Sequence, residues 1–362
     1  MPLKILHVEA GKNLYGGALQ VFYLMQGLQD HHNILVCAED SDIAHHAQEV
    51  AQCIYAIPMS GDADLSLIWR LRNIIRKEQP DIVHLHSRRG ADILGGIAAR
   101  LAHARVILTR RVDNPEPTLQ VHIKYRMYDK VICISEGIQN ILINEGVPKD
   151  KLVCVPSAVD IQRYDASCDD LWFRKEFGLA QDTKVIGMVA QFIERKGHRY
   201  LLQAIPTIIS EYPGVKFILF GKGPLLEDIM AMTISKGIQT HVLFAGFRED
   251  LERVLPCLYA VVHPAEMEGL GVSLLQAAAC RVPLVGTNVG GIPEIVRNKT
   301  NGYLIPPKSP QAIADAVINL LQDADRAKLM GEAGRELVEA KYSIAAMVAG
   351  NLDVYQALMK QR

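Results

Sequence analysis

The residues best suited to chemistry are charged and glycine-rich clusters that follow short apolar runs. Glu194-Arg195-Lys196-Gly197 places two cations beside a glycine, after the apolar run Lys184–Ala190 and before a helical pattern. Arginine binds phosphate through two parallel N–H groups, and lysine adds a point charge. The tetrapeptide is therefore a candidate diphosphate-binding loop, although a solvated charged loop has the same composition.

Three more glycine loops of the second half have the same placement between an apolar run and a helical pattern. They are Gly221-Lys222-Gly223-Pro224, Glu268-Gly269-Leu270-Gly271, and the segment 287–294 with Gly290 and Gly291. Consecutive N–H groups in such loops contact sugars or phosphates, and a glutamate accepts hydrogen bonds from hydroxyls. Turn formation alone explains each loop singly, but their repetition indicates a ligand site.

Two features of the first half complete the set of candidate ligand contacts. Gly16-Gly17 lies between the apolar run Lys4–Glu9 and a helical pattern, where backbone can approach a phosphate. A tight turn without a ligand explains it equally, and because the loop is not G-x-G-x-x-G the dinucleotide fingerprint is absent. Val83-His84-Leu85-His86 ends another apolar run with a histidine, a residue that is also common as a buried polar group.

Two arginine pairs, Arg88-Arg89 and Arg110-Arg111, follow neighbouring apolar runs of the first half. Adjacent parallel strands bring their ends together, so four guanidinium groups would meet at one edge and suit an anionic acceptor. The alternative is that these arginines pair with nearby carboxylates, namely Asp92, Asp113 and Glu116.

The elements that must position these loops alternate between short apolar runs and amphipathic stretches in both halves of the chain. Short strands separated by helices predict parallel sheets covered on both faces. We expect two doubly wound α/β domains facing across a cleft, 1–165 and 166–343, with a hinge near 156–165. The last helical stretch, 344–362, is expected to pack back on the first domain. Ligands of such sheets bind at the carboxyl ends of the strands.

Composition excludes several classes of protein. The chain has 362 residues, is 49% hydrophobic and 22% charged, and carries a net charge of −1. These values exclude a disordered chain and a protein that binds nucleic acid through bulk charge. The sum hides an asymmetry, because residues 65–130 contain thirteen Lys and Arg against six Asp and Glu.

The cysteines and the apolar segments indicate the cellular compartment of the protein. The chain has seven cysteines and no CxxC pair, which predicts reduced thiols in a cytosolic protein. We find no secretory leader or membrane-spanning run and expect a cytoplasmic protein, with peripheral contact at the inner face of the inner membrane as an option. The basic stretch Trp69–Lys77 predicts either a solvated helix face or a surface that docks on anionic lipid.

From Met188 to Pro307 the sequence reads MVAQFIERKG, FGKGP, HPAEMEGLGVSLLQAAACRVPLVGTNVGGIPEIV and NGYLIPP at successive positions. With these motifs, the chain resembles the family 4 (group 1) retaining glycosyltransferases of GT-B fold, of the bacterial lipopolysaccharide and capsule type. The resemblance covers nearly the whole chain. It implies that Arg195 and Lys196 hold the donor diphosphate, that Glu268 holds the donor sugar and that His86 lies near the reacting carbon.

The resemblance also implies a set of residues that bind the donor: Gly16, Gly17, Gln191, Gly221, Gly269, Leu270, Gly271, Gln276, Gly290 and Gly291. Three positions depart from the family pattern. Gln276 replaces the second carboxylate of the Glu-x7-Glu pair, Ala190-Gln191 replaces Gly-Arg, and Pro156-Ser157-Ala158 replaces Pro-Asn-Gly. Glutamine accepts hydrogen bonds only as a neutral partner, so these changes bear on nucleotide affinity more than on fold.

The implied activity is retaining transfer of a sugar, most readily from a UDP-sugar, to an anionic glycan or glycolipid acceptor in lipopolysaccharide core or O-antigen assembly. The resemblance implies no metal and no cofactor, since the leaving phosphate takes the acceptor's proton. The alternatives are a GT-B epimerase and a relative that has kept binding but lost catalysis. A dinucleotide-dependent dehydrogenase is disfavoured by the missing fingerprint.

Overall fold

A computed structural model describes residues 2–87 and 90–360 and divides the chain into two compact units. Unit 1 comprises the chain up to Ala158 together with the last helix, which begins at Ile344. Unit 2 comprises Val159–Ser343.

Unit 1 is built on a sheet of seven parallel strands, in the order β3-β2-β1-β4-β5-β6-β7. These strands are short and mostly apolar, as expected for strands covered by helices on both faces. Their bounds are β1 Lys4–Glu9, β2 His32–Ala38, β3 Cys53–Ile57, β4 Ile82–Leu85, β5 Val106–Arg110, β6 Lys130–Cys133 and β7 Leu152–Cys154.

The helices of unit 1 are α1 Gly17–Gly27, α2 Asp42–His46, α3 Ser66–Glu78, α4 Ala91–Leu101, α5 Thr118–Lys124, α6 Glu136–Asn144 and α15 Ile344–Lys360. Helix α15 packs on α1, and its Met347, Tyr355 and Leu358 join the core of the unit. Gly27 permits this approach, because a Cβ there would lie 2.4 Å from Val348.

Unit 2 contains a sheet of six parallel strands, in the order β10-β9-β8-β11-β12-β13. Their bounds are β8 Val185–Val189, β9 Lys216–Phe220, β10 Val242–Gly246, β11 Ala260–His263, β12 Leu284–Thr287 and β13 Gly302–Ile305. The helices are α7 Asp170–Phe177, α8 His198–Glu211, α9 Leu226–Ser235, α10 Leu251–Val254, α11 Val272–Ala279, α12 Ile292–Ile295, α13 Pro310–Gln322 and α14 Ala324–Lys341. The predicted pair of doubly wound α/β domains is thereby confirmed.

One expectation about the cysteines is wrong. Cys168 and Cys257 form a disulfide although 89 positions separate them. Cys168 precedes α7 and Cys257 follows α10, two short helices that hydrophobic periodicity did not predict. The Arg253–Asp169 ion pair, at 3.3 Å, lies beside the disulfide and ties the same two segments.

No helix among the described residues is long and apolar enough to cross a bilayer.

Candidate functional site

In each sheet the strand order reverses between two neighbouring strands, at β1 and β4 in unit 1 and at β8 and β11 in unit 2. Loops leaving the carboxyl ends of such a pair turn to opposite sides and leave a crevice where ligands bind. Most of the predicted residues follow these four strands. Arg110 and Arg111 lie at the end of β5, Gly221 follows β9, and Gly290 and Gly291 follow β12. Each site is described within its own unit.

In unit 2, the two loops at the switch point bring a lysine, a glutamate and a histidine together. Lys196, after β8, places Nζ 2.5 Å from Glu268 Oε2. His263, the last residue of β11, places Nε2 2.7 Å from the same oxygen. Sequence reasoning predicted Lys196 and Glu268 but did not select His263 for this cluster. A histidine at a strand end, five residues before Glu268, was the available signal.

The electrostatics of this cluster keep Glu268 ionised. Burial alone would raise the pKa of the Glu268 carboxyl, but the hydrogen bond from His263 and the charge of Lys196 outweigh it and hold that pKa well below its usual range. The cluster therefore presents a fixed carboxylate beside an ammonium group, a combination that binds hydroxyls and a phosphate side by side.

Two glycines of unit 2 are required by close packing of the loops. A Cβ at Gly197 would lie 1.9 Å from the Pro264 carbonyl oxygen, and one at Gly221 would lie 2.0 Å from the Ala190 carbonyl oxygen. Both residues also have positive φ, 74° and 140°. Any side chain at these positions would force the loops after β8, β9 and β11 apart.

The other predicted donor contacts of unit 2 differ in their exposure and in their hydrogen bonds. Gln191 is exposed, whereas Leu270 is buried. The Gln276 amide donates a 2.8 Å hydrogen bond to the Tyr164 hydroxyl. Gly271 precedes α11 as its N-cap residue, so backbone N–H groups of the first helical turn lie next to it. Gly291 precedes α12, but its own N–H donates to the Glu268 carbonyl and the Ile292 N–H donates to the Val289 carbonyl. The remaining members of the set are Gly269, Gly290 and Arg195.

In unit 1, a pocket of about 190 Å³ lies at the switch point, lined by residues that include Glu9, Gly17, His86 and Arg111. The predicted Gly17 and His86 therefore share one cavity. Gly16, with φ of 56°, precedes helix α1. Glu9 and Arg111 lie close to Gly17, because a Cβ there would be 3.7 Å from Glu9 Oε2 and 3.6 Å from Arg111 Nε.

His86 belongs to a buried group of three histidines. His86 Nε2 lies 3.0 Å from His7 Nδ1, and the His84 and His86 ring centroids are 3.8 Å apart. Burial lowers the pKa of His7 to about 4 and lowers the pKa values of His84 and His86 well below 6.5. At neutral pH all three imidazoles are therefore uncharged.

The three histidines also have the spacing of a metal site, with one ligand atom of each within 4.8 Å of the others. Hydrogen bonds already engage both nitrogens of two of them. His84 contacts the hydroxyls of Tyr355 and Thr109, each at 2.7 Å, and His7 contacts Asn33 Oδ1 at 3.3 Å as well as His86. Protein partners thus account for the arrangement, and the expected absence of a metal stays a prediction.

The expectation that both residues of the second arginine pair face an anionic acceptor is wrong for Arg110. Its guanidinium is buried, donates to Glu116 at 3.0 Å and donates to the Asn114 carbonyl at 2.6 Å. Lys124 links the same Glu116 to Asp92 at 2.9 and 2.6 Å. The alternative drawn from the sequence, pairing with carboxylates, is what the structure contains.

Arg111 lines the pocket and contacts the Ser157 hydroxyl at 3.3 Å. Burial lowers the pKa of Arg111 to about 10, while Glu9 opposes that change, so the guanidinium stays charged at neutral pH. Arg88 and Arg89 lie outside the described residues.

Comparison with known proteins agrees with this architecture. Residues 15–163 match the model of Glycosyltransferase Family 4, and residues 171–337 match that of Glycosyl transferases group 1. Over 98% of its length the chain is 25% identical to an N-acetyl-alpha-D-glucosaminyl L-malate synthase from Bacillus anthracis, of which 94% is covered.

Two further relatives and one solved structure are also similar. A GDP-mannose-dependent phosphatidylinositol monomannoside mannosyltransferase of Mycobacterium tuberculosis is 33% identical over 61% of this chain and 60% of its own. An Escherichia coli UDP-Gal:alpha-D-GlcNAc-diphosphoundecaprenol alpha-1,3-galactosyltransferase is 26% identical over 89% and 88%. The fold of Anabaena HepE, solved with UDP-glucose, superposes with a TM-score of 0.87 at 18% identity, covering 98% of this chain and 100% of that one.

The two domains with parallel sheets have the architecture of the GT-B fold. The chain belongs to the family 4, group 1 glycosyltransferases.

Proposed function

We propose that the protein transfers a sugar, with retention of configuration, from a UDP-sugar to a glycan or glycolipid of the cell envelope, in lipopolysaccharide core or O-antigen assembly. The observation that carries the donor part is the convergence of Lys196 and His263 on Glu268 at the switch point of unit 2. A fixed carboxylate for sugar hydroxyls next to an ammonium group for phosphate matches both halves of a nucleotide diphosphate sugar.

The preference for UDP is supported by two of the similar proteins. The Escherichia coli relative uses UDP-Gal, and Anabaena HepE was solved with UDP-glucose. The mycobacterial relative depends on GDP-mannose, so guanine is the competing base. The neutral Gln276 replaces the carboxylate that the family uses to bind the ribose. The other donor contacts must therefore compensate for a weaker bond to the ribose hydroxyls.

Catalysis would rest on positioning and on electrostatic stabilisation of the departing diphosphate. Arg195 and Lys196 would meet the negative charge that develops as the glycosidic bond breaks, with the amides near Gly291 as further donors. The leaving phosphate would take the proton of the acceptor hydroxyl. We propose that no metal and no other cofactor takes part.

The acceptor is proposed to be an anionic glycan or glycolipid. The relative that joins galactose to a diphosphoundecaprenol-linked sugar supports a lipid-linked acceptor. Among the arginines predicted for its anionic group, Arg111 is the one that lines the unit 1 pocket, since Arg110 is occupied by Glu116.

Contact with the inner face of the membrane is proposed through α3. Its apolar face is buried through Leu67, Leu71 and Ile75, while Trp69 is 58% exposed with Arg72 stacked over its ring. An exposed tryptophan beside cations suits anionic lipid headgroups. Co-sedimentation with liposomes should require anionic lipid and should weaken in Trp69→Ala.

A cytoplasmic location is proposed, and disulfides are rare in the reducing cytosol. The Cys168–Cys257 disulfide of the structure would then be the oxidised form of a pair that intact cells hold as thiols. Alkylation of intact cells should trap both cysteines as thiols, and recovery of the pair as a disulfide would contradict this location.

Product analysis tests the activity itself. The protein is incubated with a panel of UDP-, GDP- and ADP-sugars and lipopolysaccharide core oligosaccharide, and the anomeric configuration of the product is read by NMR. We expect a UDP-sugar to react with retention and EDTA to leave the rate unchanged. Inversion, or a loss on chelation restored by Mg²⁺ or Mn²⁺, would contradict the mechanism.

Thermal unfolding with UDP, GDP and ADP identifies the base independently of the acceptor, because a ligand stabilises the folded state that binds it. A shift with UDP alone supports the proposal. A shift with GDP alone would show that the donor carries guanine and not uracil. No shift with any nucleotide would favour a relative that no longer binds a donor.

A further inference from the structure

The first residues of unit 2 include a tyrosine that contacts a predicted donor residue. Tyr164 is 4% exposed, and its hydroxyl accepts a 2.8 Å hydrogen bond from the amide nitrogen of Gln276. This bond engages the amide nitrogen, so the amide oxygen of Gln276 is oriented as the acceptor. An acceptor is what a ribose hydroxyl requires of the group that replaces a carboxylate. Tyr164 is therefore a positioning residue for Gln276.

The chain around Tyr164 is attached to unit 2 by one buried arginine and by exposed ion pairs. Arg335 donates to the Ile161 carbonyl at 3.1 Å and pairs with Asp165 at 3.3 Å. The exposed pairs are Arg163–Glu252, Asp165–Arg281 and Asp169–Arg253, at 3.0, 2.7 and 3.3 Å. Each of their side chains is at least 30% exposed. Exposed ion pairs contribute little to stability, so noncovalent contacts hold residues 162–169 weakly.

The Cys168–Cys257 disulfide is a covalent bond between this segment and the residues after α10. Cys168 lies four positions after Tyr164 and is exposed, and Cys257 is half-buried. Small solutes therefore reach the disulfide. The third cysteine of unit 2, Cys280, is buried, and burial raises the pKa of its thiol to about 12, which makes it unreactive at neutral pH. Cys168 and Cys257 are thus the reactive cysteines of this unit.

We infer that Cys168 and Cys257 form a site of reversible thiol oxidation, and that oxidation strengthens nucleotide binding by holding Tyr164 against Gln276. The inference rests on the proposed transfer reaction, in which Gln276 contacts the donor. In the thiol form, noncovalent contacts alone hold the segment, and the contact between Tyr164 and Gln276 opens more often. In the disulfide form the segment is restrained before the nucleotide arrives, so binding orders less of the chain.

The oxidant that fits this site is a low-molecular-weight disulfide. The thiolate of the exposed Cys168 attacks one of its sulfur atoms, which forms a mixed disulfide and releases one small thiol. The Cys257 thiolate then attacks the Cys168 sulfur, which forms the protein disulfide and releases the second small thiol. The two protein thiols lose two electrons to the small disulfide, and their two protons end on the two small thiols.

Peptide mapping of the full-length protein tests the oxidation itself. Glutathione disulfide is the oxidant, dithiothreitol is the reductant, and free thiols are alkylated before digestion. The oxidised sample should contain the Cys168–Cys257 bond, and the reduced sample should contain both cysteines in alkylated form. Failure of glutathione disulfide to form this bond would overturn the inference.

Hydrogen exchange tests the restraint without any nucleotide. Backbone amides of residues 162–169 should exchange faster in the thiol form, whereas those of β8, in the core of the same unit, should exchange equally in both forms. Equal exchange over residues 162–169 would overturn the inference. If neither form binds a nucleotide while the exchange differs, the proposed function and the role in donor binding fail, whereas the oxidation site itself is supported.

Calorimetry with UDP, or with GDP if thermal unfolding selects it, tests the link to the donor site. The thiol form should bind the nucleotide about threefold to tenfold more weakly, because one hydrogen-bonded contact contributes this much. Tyr164→Phe should bind with the weaker affinity in both forms, since it lacks the hydroxyl that holds Gln276. Equal affinity of the two wild-type forms would overturn the inference.

Substitution of the cysteines assigns the effect to this pair. The double variant Cys168→Ser, Cys257→Ser should bind the nucleotide like the wild-type thiol form after either treatment. Cys53→Ser, at a half-buried cysteine of unit 1 that forms no disulfide, is the matched control and should keep the wild-type difference. A double variant whose affinity still responds to glutathione disulfide would overturn the assignment.

Discussion

The two units share one topology, but they carry different kinds of residue at the switch point. In unit 2 the loops after β8 and β11 expose a lysine held by a carboxylate and a histidine. In unit 1 the ends of β1 and β4 carry neutral histidines and a glutamate matched to one arginine. The parallel sheet supplies the crevice in both cases, and a few residues at the strand ends give the two crevices different chemistry.

The largest expected effect is a loss of activity when the cation of the unit 2 site is removed. Lys196→Ala removes the cation beside Glu268 and should lower kcat/KM for the donor by about a hundredfold to a thousandfold, because a donor aimed at developing charge contributes this much. Initial rates over a range of UDP-sugar concentrations measure it. Lys236→Ala, at an exposed lysine after α9, is the control. A loss below threefold would remove Lys196 from the donor site.

The second effect distinguishes the neighbouring arginines of unit 1. Arg110→Gln removes one of the two buried cations that pair with Glu116 and should lower the free energy of unfolding by about 3 kcal/mol. Arg111→Gln should instead raise the KM for the proposed anionic acceptor by a few-fold. Urea unfolding and initial rates are compared for the two variants. Equal loss of stability in both would show that Arg111 is structural as well.

The smallest effect concerns the loss of stability at acidic pH. Burial lowers the pKa of His7 in the folded protein to about 4, whereas a histidine of the unfolded chain titrates near 6.5. Between these values the unfolded chain binds an extra proton, so stability falls as pH decreases through that window. From pH 7 to pH 5 this one residue should cost about 2 kcal/mol. His7→Phe should lose correspondingly less than wild type over that range, with His32→Phe at an exposed position as control. Parallel pH profiles for wild type and His7→Phe would contradict a neutral His7.

Much of the fold followed from the sequence because its strands are short apolar runs separated by amphipathic helices. Lys196 and Glu268 were found because local motifs mark them. Glu9 and His7 were missed, since their partners lie far along the chain, with 79 positions between His7 and His86. A signal was present in the alternation of His7 with Glu9 and of His84 with His86, which places both pairs on one face of adjacent strands.

The partner of Arg110 and the Cys168–Cys257 disulfide could not be predicted from the sequence. Arg110 had carboxylates near it in sequence, but nothing in the pattern decided between a carboxylate and a ligand. Cys168 and Cys257 have no spacing motif, and they meet because α7 and α10 are adjacent in the folded unit. These contacts depend on tertiary packing that periodicity does not encode.

Helix α15 makes unit 1 discontinuous, and its Tyr355 completes the hydrogen bonds of His84. During synthesis from the amino terminus, unit 2 is available as a continuous segment before α15 leaves the ribosome. Unit 1 therefore keeps an uncovered α1 and an incomplete histidine cluster until α15 has been synthesised. A nascent chain released before α15 is made would lack the Tyr355 partner of His84 while keeping all of unit 2.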